Sequence, residues 1–169
     1  AYEAYLRGRY YWHTYTEDGL ARAITCFYDA IAIDPQFAAA YTGVADYFNW
    51  MGITGVLPPE ECFQAAKQAA SKAIELDDKL AEAYVSLALA TWACEWDHET
   101  SRYLMQQAIA LNDNYAQAHE WLAHFYSSQG QHTEAINSMR RALRIDPRSP
   151  ALHAMMSFIL HNARQHSEA

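Results

Sequence analysis

A short phrase recurs along this chain, and the recurrence limits its possible folds more than any other feature. Ala30-Ile31-Ala32-Ile33-Asp34-Pro35 returns as Ala73-Ile74-Glu75-Leu76-Asp77-Asp78, as Ala108-Ile109-Ala110-Leu111-Asn112-Asp113 and as Ala142-Leu143-Arg144-Ile145-Asp146-Pro147. The last two copies stand 34 residues apart, a period typical of stacked helix-turn-helix units. Such a unit cannot bury its apolar face alone, so consecutive units are expected to nest along one axis. An array of this kind offers a surface, which makes binding a stronger expectation than catalysis.

Every segment follows helical spacing, and no alternating strand pattern of useful length occurs. Helices are predicted near 2–15, from Thr16 to Ile33, near 36–51 with Gly52 as the stop, and from Pro58-Pro59 to Leu76. Five more follow near 79–95, 97–111, 114–129, 131–145 and 148–164. Thr16 before Glu17 and Asp18 reads as an N-cap with an acidic first turn. Asp97 with Thr100 reads as a second cap, and Gly130 as a helix end. At the repeat junctions, Asp34-Pro35 and Asp146-Pro147 place a capping acceptor before a proline at the first helical position. The stretch from Ile53 to Pro58 is extra relative to the other repeats.

Aligning the four copies exposes columns of fixed side-chain size. Ala30, Ala73, Ala108 and Ala142 form one small column; Ala23, Ala66, Ser101 and Ala135 form another. A third runs through Gly8, Ala45, Ala88, Ala123 and Ser157. Tyr41, Tyr84, His119 and His153 make a large column, as do Val44, Leu87, Leu122 and Met156. Small columns let helices approach closely while large residues fill the space that remains.

These columns resemble the tetratricopeptide repeat, whose small and aromatic positions are matched in order by Tyr41, Val44, Ala45, Phe48, Ala66 and Ala73. The best copy runs His119, Leu122, Ala123, Tyr126, Ala135, Met139, Ala142 and Pro147. Ala70 departs from the pattern, standing where a large residue is usual. The resemblance implies an all-α tetratricopeptide-repeat α-solenoid of antiparallel helix pairs in a right-handed superhelix. It implies one array over 1–169, with repeats at 2–35, 36–78, 79–113 and 114–147 and a truncated fifth at 148–169. The end at Ser167-Glu168-Ala169 and the missing initiating Met are read as marks of a piece of a longer protein. A truncated fifth repeat would leave Met155, Met156, Ile159 and Leu160 bare, so a homodimer through the exposed C-terminal helix is a further expectation.

In such arrays the first helix of each repeat lines a concave groove. The resemblance places Tyr2, Tyr5, Arg9 and Trp12 there from the first copy, and Thr42, Asp46, Asn49 and Trp50 from the second. The third copy supplies Glu82, Val85, Leu89 and Trp92, and the fourth Gln117, Glu120, His124 and Ser127. Ala154, Phe158 and His161 come from the fifth. Aromatics and Arg are the residues that binding hot spots use. Trp12, Trp50 and Trp92 have an equally good reading as core between neighbouring repeats. Arg9 is the one cation among these positions, so the paired Lys, Asn and Arg that hold a peptide carboxylate in some arrays are missing. Tyr5-Leu6-Arg7-Gly8-Arg9-Tyr10-Tyr11-Trp12, the Pro58-Pro59 insertion and Trp92 to Trp96-Asp97 also resemble repeat regions attached to bacterial winged-helix transcriptional regulators, serine/threonine kinases or adenylate cyclases.

Composition narrows the function classes. A net charge of −8 with only 12 Lys and Arg argues against nucleic-acid binding and favours basic or amphipathic partners. Cys26, Cys62 and Cys94 are single and far apart, which suits free thiols in a reducing, cytoplasmic setting. No apolar run approaches a bilayer span and no stretch reads as a signal peptide. His119-Glu120 followed by His124 has the residue types of a zinc-protease helix, but its histidines are five apart and diverge; His161 and His166 share the fault. The acid pairs Glu60-Glu61 and Asp77-Asp78 sit at helix starts, where the dipole accounts for them. The expected function is therefore a non-enzymatic protein or peptide binder with no metal, cofactor or membrane partner. It is expected to serve a bacterial signalling or transcriptional regulator whose output part lies elsewhere. A small-ligand sensory domain and an oligomerisation scaffold are the alternatives.

Overall fold

The computed structural model describes residues 1–167, with side chains through Ala163; the His166 side chain and the end at Glu168 and Ala169 lie outside the described residues. Among the described residues there are nine helices and no strand. They are α1 (Tyr2–Trp12), α2 (Glu17–Ile33), α3 (Ala38–Thr54), α4 (Pro59–Leu76), α5 (Ala81–Glu95), α6 (His98–Leu111), α7 (Ala116–Ser128), α8 (His132–Ile145) and α9 (Pro150–Ser167). The chain divides into two compact units, 1–101 and 102–169.

In the first unit, α1, α3 and α5 lie side by side; α2 packs on α1 and α3, and α4 on α3 and α5. The core shared by α1 to α4 holds Trp12, Leu20, Ala23, Phe27, Val44, Met51 and Cys62. The small columns explain how helices come this close. Ala23, Ala30, Ala45, Ala66, Ala73 and Ala88 are fully buried. At Gly8 even a Cβ would stand 2.6 Å from the Phe27 ring, so helix approach here depends on the missing side chain. In the second unit, α8 packs on α7 and α9, and α9 also meets α7. Its core is Ala123, Ala135, Met139, Ala142, Leu152 and Ile159.

The large column does more than fill space. Tyr41 donates its hydroxyl to the Pro35 carbonyl at 3.2 Å, and Tyr84 donates to the Asp78 carbonyl at 3.2 Å. A ring nitrogen of His119 lies 3.1 Å from the Asp113 carbonyl, and one of His153 lies 3.0 Å from that of Pro147. From the second repeat on, each first helix thus clasps, six residues back, the turn that leads into it.

The junction prediction needs correction. Asp34, Asp77 and Asp146 end the preceding helices as C-caps. Their carboxylates accept the N–H two residues on, from Gln36, Lys79 and Arg148, and Asn112 does the same with Asn114. These are Asx turns between helices, so Pro35 and Pro147 lie in the turn, before the helix. Gly52 does not stop α3, which continues to Thr54 and ends on Gly55 at φ +68°. The Thr16 cap is present, its hydroxyl accepting from the Gly19 N–H at 3.1 Å. Asp97 likewise accepts from the Thr100 N–H at 3.0 Å. Gly130 takes φ +71° after α7.

The bare C-terminal face also needs correction. Ile159 is fully buried, and Met155 and Met156 pack against the same core as Met139. One helix face docks on α7 and α8 without a following helix, while Met155, Met156 and Leu160 stay half-buried and Phe158 is exposed.

Candidate functional site

The expected groove residues of the first unit converge on the layer α1–α3–α5. Thr42, Asp46 and Asn49 recur at helical spacing on one face of α3. Asp46 accepts the Ser86 hydroxyl at 2.5 Å, and Ser86 belongs to the neighbouring α5. Asn49 donates its amide to the Ser86 carbonyl at 2.9 Å. From α1, an Arg9 guanidinium nitrogen reaches 3.6 Å from the other Asp46 oxygen. That separation is an ion pair without a hydrogen bond. Glu82 on α5 adds its field to Asp46 and to the Tyr5 hydroxyl, which also feels Arg9 and Tyr2.

The electrostatics follow from burial. Desolvation pushes the Asp46 carboxyl up to about 6, although the Ser86 hydrogen bond and Arg9 both favour its anion and Glu82 opposes it. Burial likewise raises the Tyr5 phenol. Asn49 Oδ1 and Thr42 Oγ1 are enclosed and have no hydrogen-bond partner.

The remaining expected positions of this unit are more apolar. Trp12 is part of the core, while Trp50 is half-buried against it. With Tyr15, which holds φ +50°, they form an aromatic group at centroid separations of 5.7–6.5 Å. Leu89 and Val85 are buried, and Trp92 is half-buried.

In the second unit, Glu120, His124 and Ser127 share a face of α7 and are half-buried, while Gln117 is exposed and accepts the Tyr115 hydroxyl. Burial raises the Glu120 carboxyl and lowers the His124 imidazole, with no charged neighbour behind either shift. The His124 ring leans on Trp121 at 5.2 Å, and Trp121 Nε1 and Ser127 Oγ are enclosed without partners. Phe158 and His161 are exposed on α9.

Ser86 is the residue that sequence reasoning missed. It is 1% exposed and joins both α3 side chains to α5. Its signal was a lone hydroxyl inside the apolar run Val85 to Ala90. Among the described residues no group of three or more His, Cys, Asp or Glu could hold a metal ion, and no helix is long and apolar enough to cross a membrane.

Comparison with known proteins matches this architecture. The tetratricopeptide repeat family model matches residues 97–157. The transcriptional regulator HilA of Salmonella typhimurium is 26% identical over 143 residues, which cover 85% of this chain and 26% of HilA. HilA of Salmonella typhi matches to the same extent. The chain thus spans about a quarter of the length of these curated relatives. A thermophilic tetratricopeptide-repeat protein of Thermus thermophilus superposes with a TM-score of 0.70 at 18% identity, over 83% of this chain and 73% of that one. The MamA protein superposes at 0.59 with 22% identity, over 98% and 83%. The first tetratricopeptide-repeat domain of human RPAP3 superposes at 0.58 with 15% identity, over 76% and 98%. Residues 97–157 thus match the tetratricopeptide repeat, and the chain has the all-α tetratricopeptide-repeat α-solenoid fold.

Proposed function

We propose that this chain is a protein-binding module of a larger bacterial regulator, and that it receives a partner segment on the face made by its first helices. The observation that carries this reading is the α1–α3–α5 layer. There Arg9, Asp46 and Glu82 stand partly open to solvent on helices held by buried small residues. Side chains fixed in advance lose little entropy on binding. Half-buried Tyr5 and Trp50 supply aromatic area on the same helices. In the second unit, taken by itself, Glu120 and His124 share a half-buried face of α7 that offers a surface of its own. The likeness to HilA over most of this chain supports attachment to a transcriptional regulator, and free thiols support a cytoplasmic setting.

The test is capture of partners on immobilised chain, followed by mass spectrometry, for wild type and for Glu82→Ala and His124→Ala. Each variant is expected to lose captured proteins while its melting temperature stays within about 2–4 °C of wild type. Capture unchanged in both variants would place binding elsewhere. Asn49 is a poor choice for this test, because its amide ties α3 to α5.

A further inference from the structure

The first-unit face is rich in acceptors and short of donors. Asp46 offers the oxygen that Ser86 leaves free, and Glu82 contributes a second carboxylate nearby. A second, independent observation lies on the same face of α3. Asn49 and Thr42 are each 97% buried, at 3% exposure, and each has an oxygen without a donor. Both of those oxygens are enclosed, so a partner's donors meet this face at Asp46 and Glu82, the carboxylates that keep solvent exposure.

The chain's own cation leaves that demand unmet. Arg9 stays 3.6 Å from Asp46, and the cluster of Arg9, Asp46 and Glu82 keeps one excess negative charge. Burial still holds the Asp46 carboxyl above its ordinary range despite Arg9. A guanidinium brings five N–H donors in a planar fork, pairs with carboxylates and stacks on aromatic faces. Tyr5 stands close enough to Arg9, Asp46 and Glu82 to feel the charge of all three.

We infer that this face holds an arginine side chain of the partner, its guanidinium set between Asp46 and Glu82 beside the Tyr5 ring, with Arg9 giving way. The inference rests on the groove reading above and specifies its occupant. The partner segment carries arginine flanked by apolar residues, which pack toward Trp50.

The probe is the capped peptide Ala-Leu-Arg-Leu-Ala, compared with its citrulline twin, which keeps the shape and removes the charge. Titration into the 15N-labelled full chain follows the amide signals of α1, α3 and α5. The arginine peptide is expected to shift those signals, and the citrulline peptide to bind about tenfold more weakly or worse. Asp46→Asn and Glu82→Gln are each expected to weaken the arginine peptide by a similar factor. Arg9→Met is expected to tighten it about threefold, because the competing internal cation is gone. A merely structural role for Arg9 would not produce that sign. Circular dichroism melts confirm that each variant is folded, and Glu82→Gln carries the test if Asp46→Asn is not. Equal affinity for the two peptides overturns the inference while leaving the groove reading intact. Absence of shifts on this face with either peptide overturns it too, and the capture experiment then judges the groove reading separately.

Discussion

Helices α3 and α7 hold the same station in their repeats, yet they present different chemistry. Both bury a small residue against the next helix, Ala45 in one and Ala123 in the other. Both clasp the preceding turn, through Tyr41 and through His119. On α3, however, Asp46 is wired to α5 through Ser86 and faces Arg9. On α7, Glu120 and His124 are shifted by burial alone. The repeat therefore constrains the positions that hold helices together and leaves the face between them open to change. That separation is what lets one scaffold carry different binding surfaces.

The cores are where the comparison is easiest to break. Phe27→Ala removes the largest fully buried side chain of the first unit and is expected to cost about 3–5 kcal/mol in urea unfolding. Met139→Ala removes a fully buried methionine from the second and is expected to cost about 2–5 kcal/mol. Ala135→Leu adds bulk where none is accommodated and should cost about 1–3 kcal/mol.

Asp46 and His124 should then respond to pH with opposite sign, while Glu120, raised by burial on the same face as His124, shares the sign of Asp46. The folded-state pKa of Asp46 is raised from 3.8 to about 6, so its contribution to stability is fully present below 3.8 and is lost as pH rises through 6. The difference is about 3 kcal/mol across that window. Arg9, Tyr5 and Glu82 face this carboxyl, and Asp46→Asn should abolish its share of the pH dependence while raising stability at pH 8. His124 is lowered from 6.5, so its contribution is present above 6.5 and is lost as pH falls. His124→Asn should remove that loss, and an NMR titration of the ring should give a midpoint below 6.5. Melts of wild type and both variants between pH 4 and 8 check both signs; parallel pH profiles would break the comparison.

Smaller effects sharpen the shared scaffold. Tyr41→Phe and Tyr84→Phe each remove one clasp bond and should each cost about 0.5–1.5 kcal/mol. Unequal costs would show that the clasps serve the repeats differently. Lys72→Met breaks an exposed pair with Glu75 on α4 and should change stability by only about 0.2–0.5 kcal/mol.

Much of this molecule was legible in its residues. The small columns became buried helix contacts, and Thr16 and Asp97 became caps, because such features depend on neighbours within a few positions. The junction acids were read as N-caps because Asp before Pro suits a helix start. The backbone instead closes an Asx turn first, and helices begin four residues after Asp34 and Asp146. Trp12 carried two readings, and packing decided that it belongs to the core. Of Met155, Met156, Ile159 and Leu160, expected bare, α9 buries Ile159 against α7 and α8 and leaves the other three half-buried. Ser86 had no local signature strong enough to mark it.

By itself the sequence determined that helical segments follow one another as repeats. Side-chain size recurring at a fixed interval leaves helices few ways to approach one another. Tertiary structure alone decided which polar groups meet. Ser86 and Asp46 are 40 positions apart and come within 2.5 Å only because α3 and α5 pack side by side. Whether a carboxylate is solvated, paired or held near pH 6 depends on that encounter, since charge energetics depend on distance and on exclusion of water.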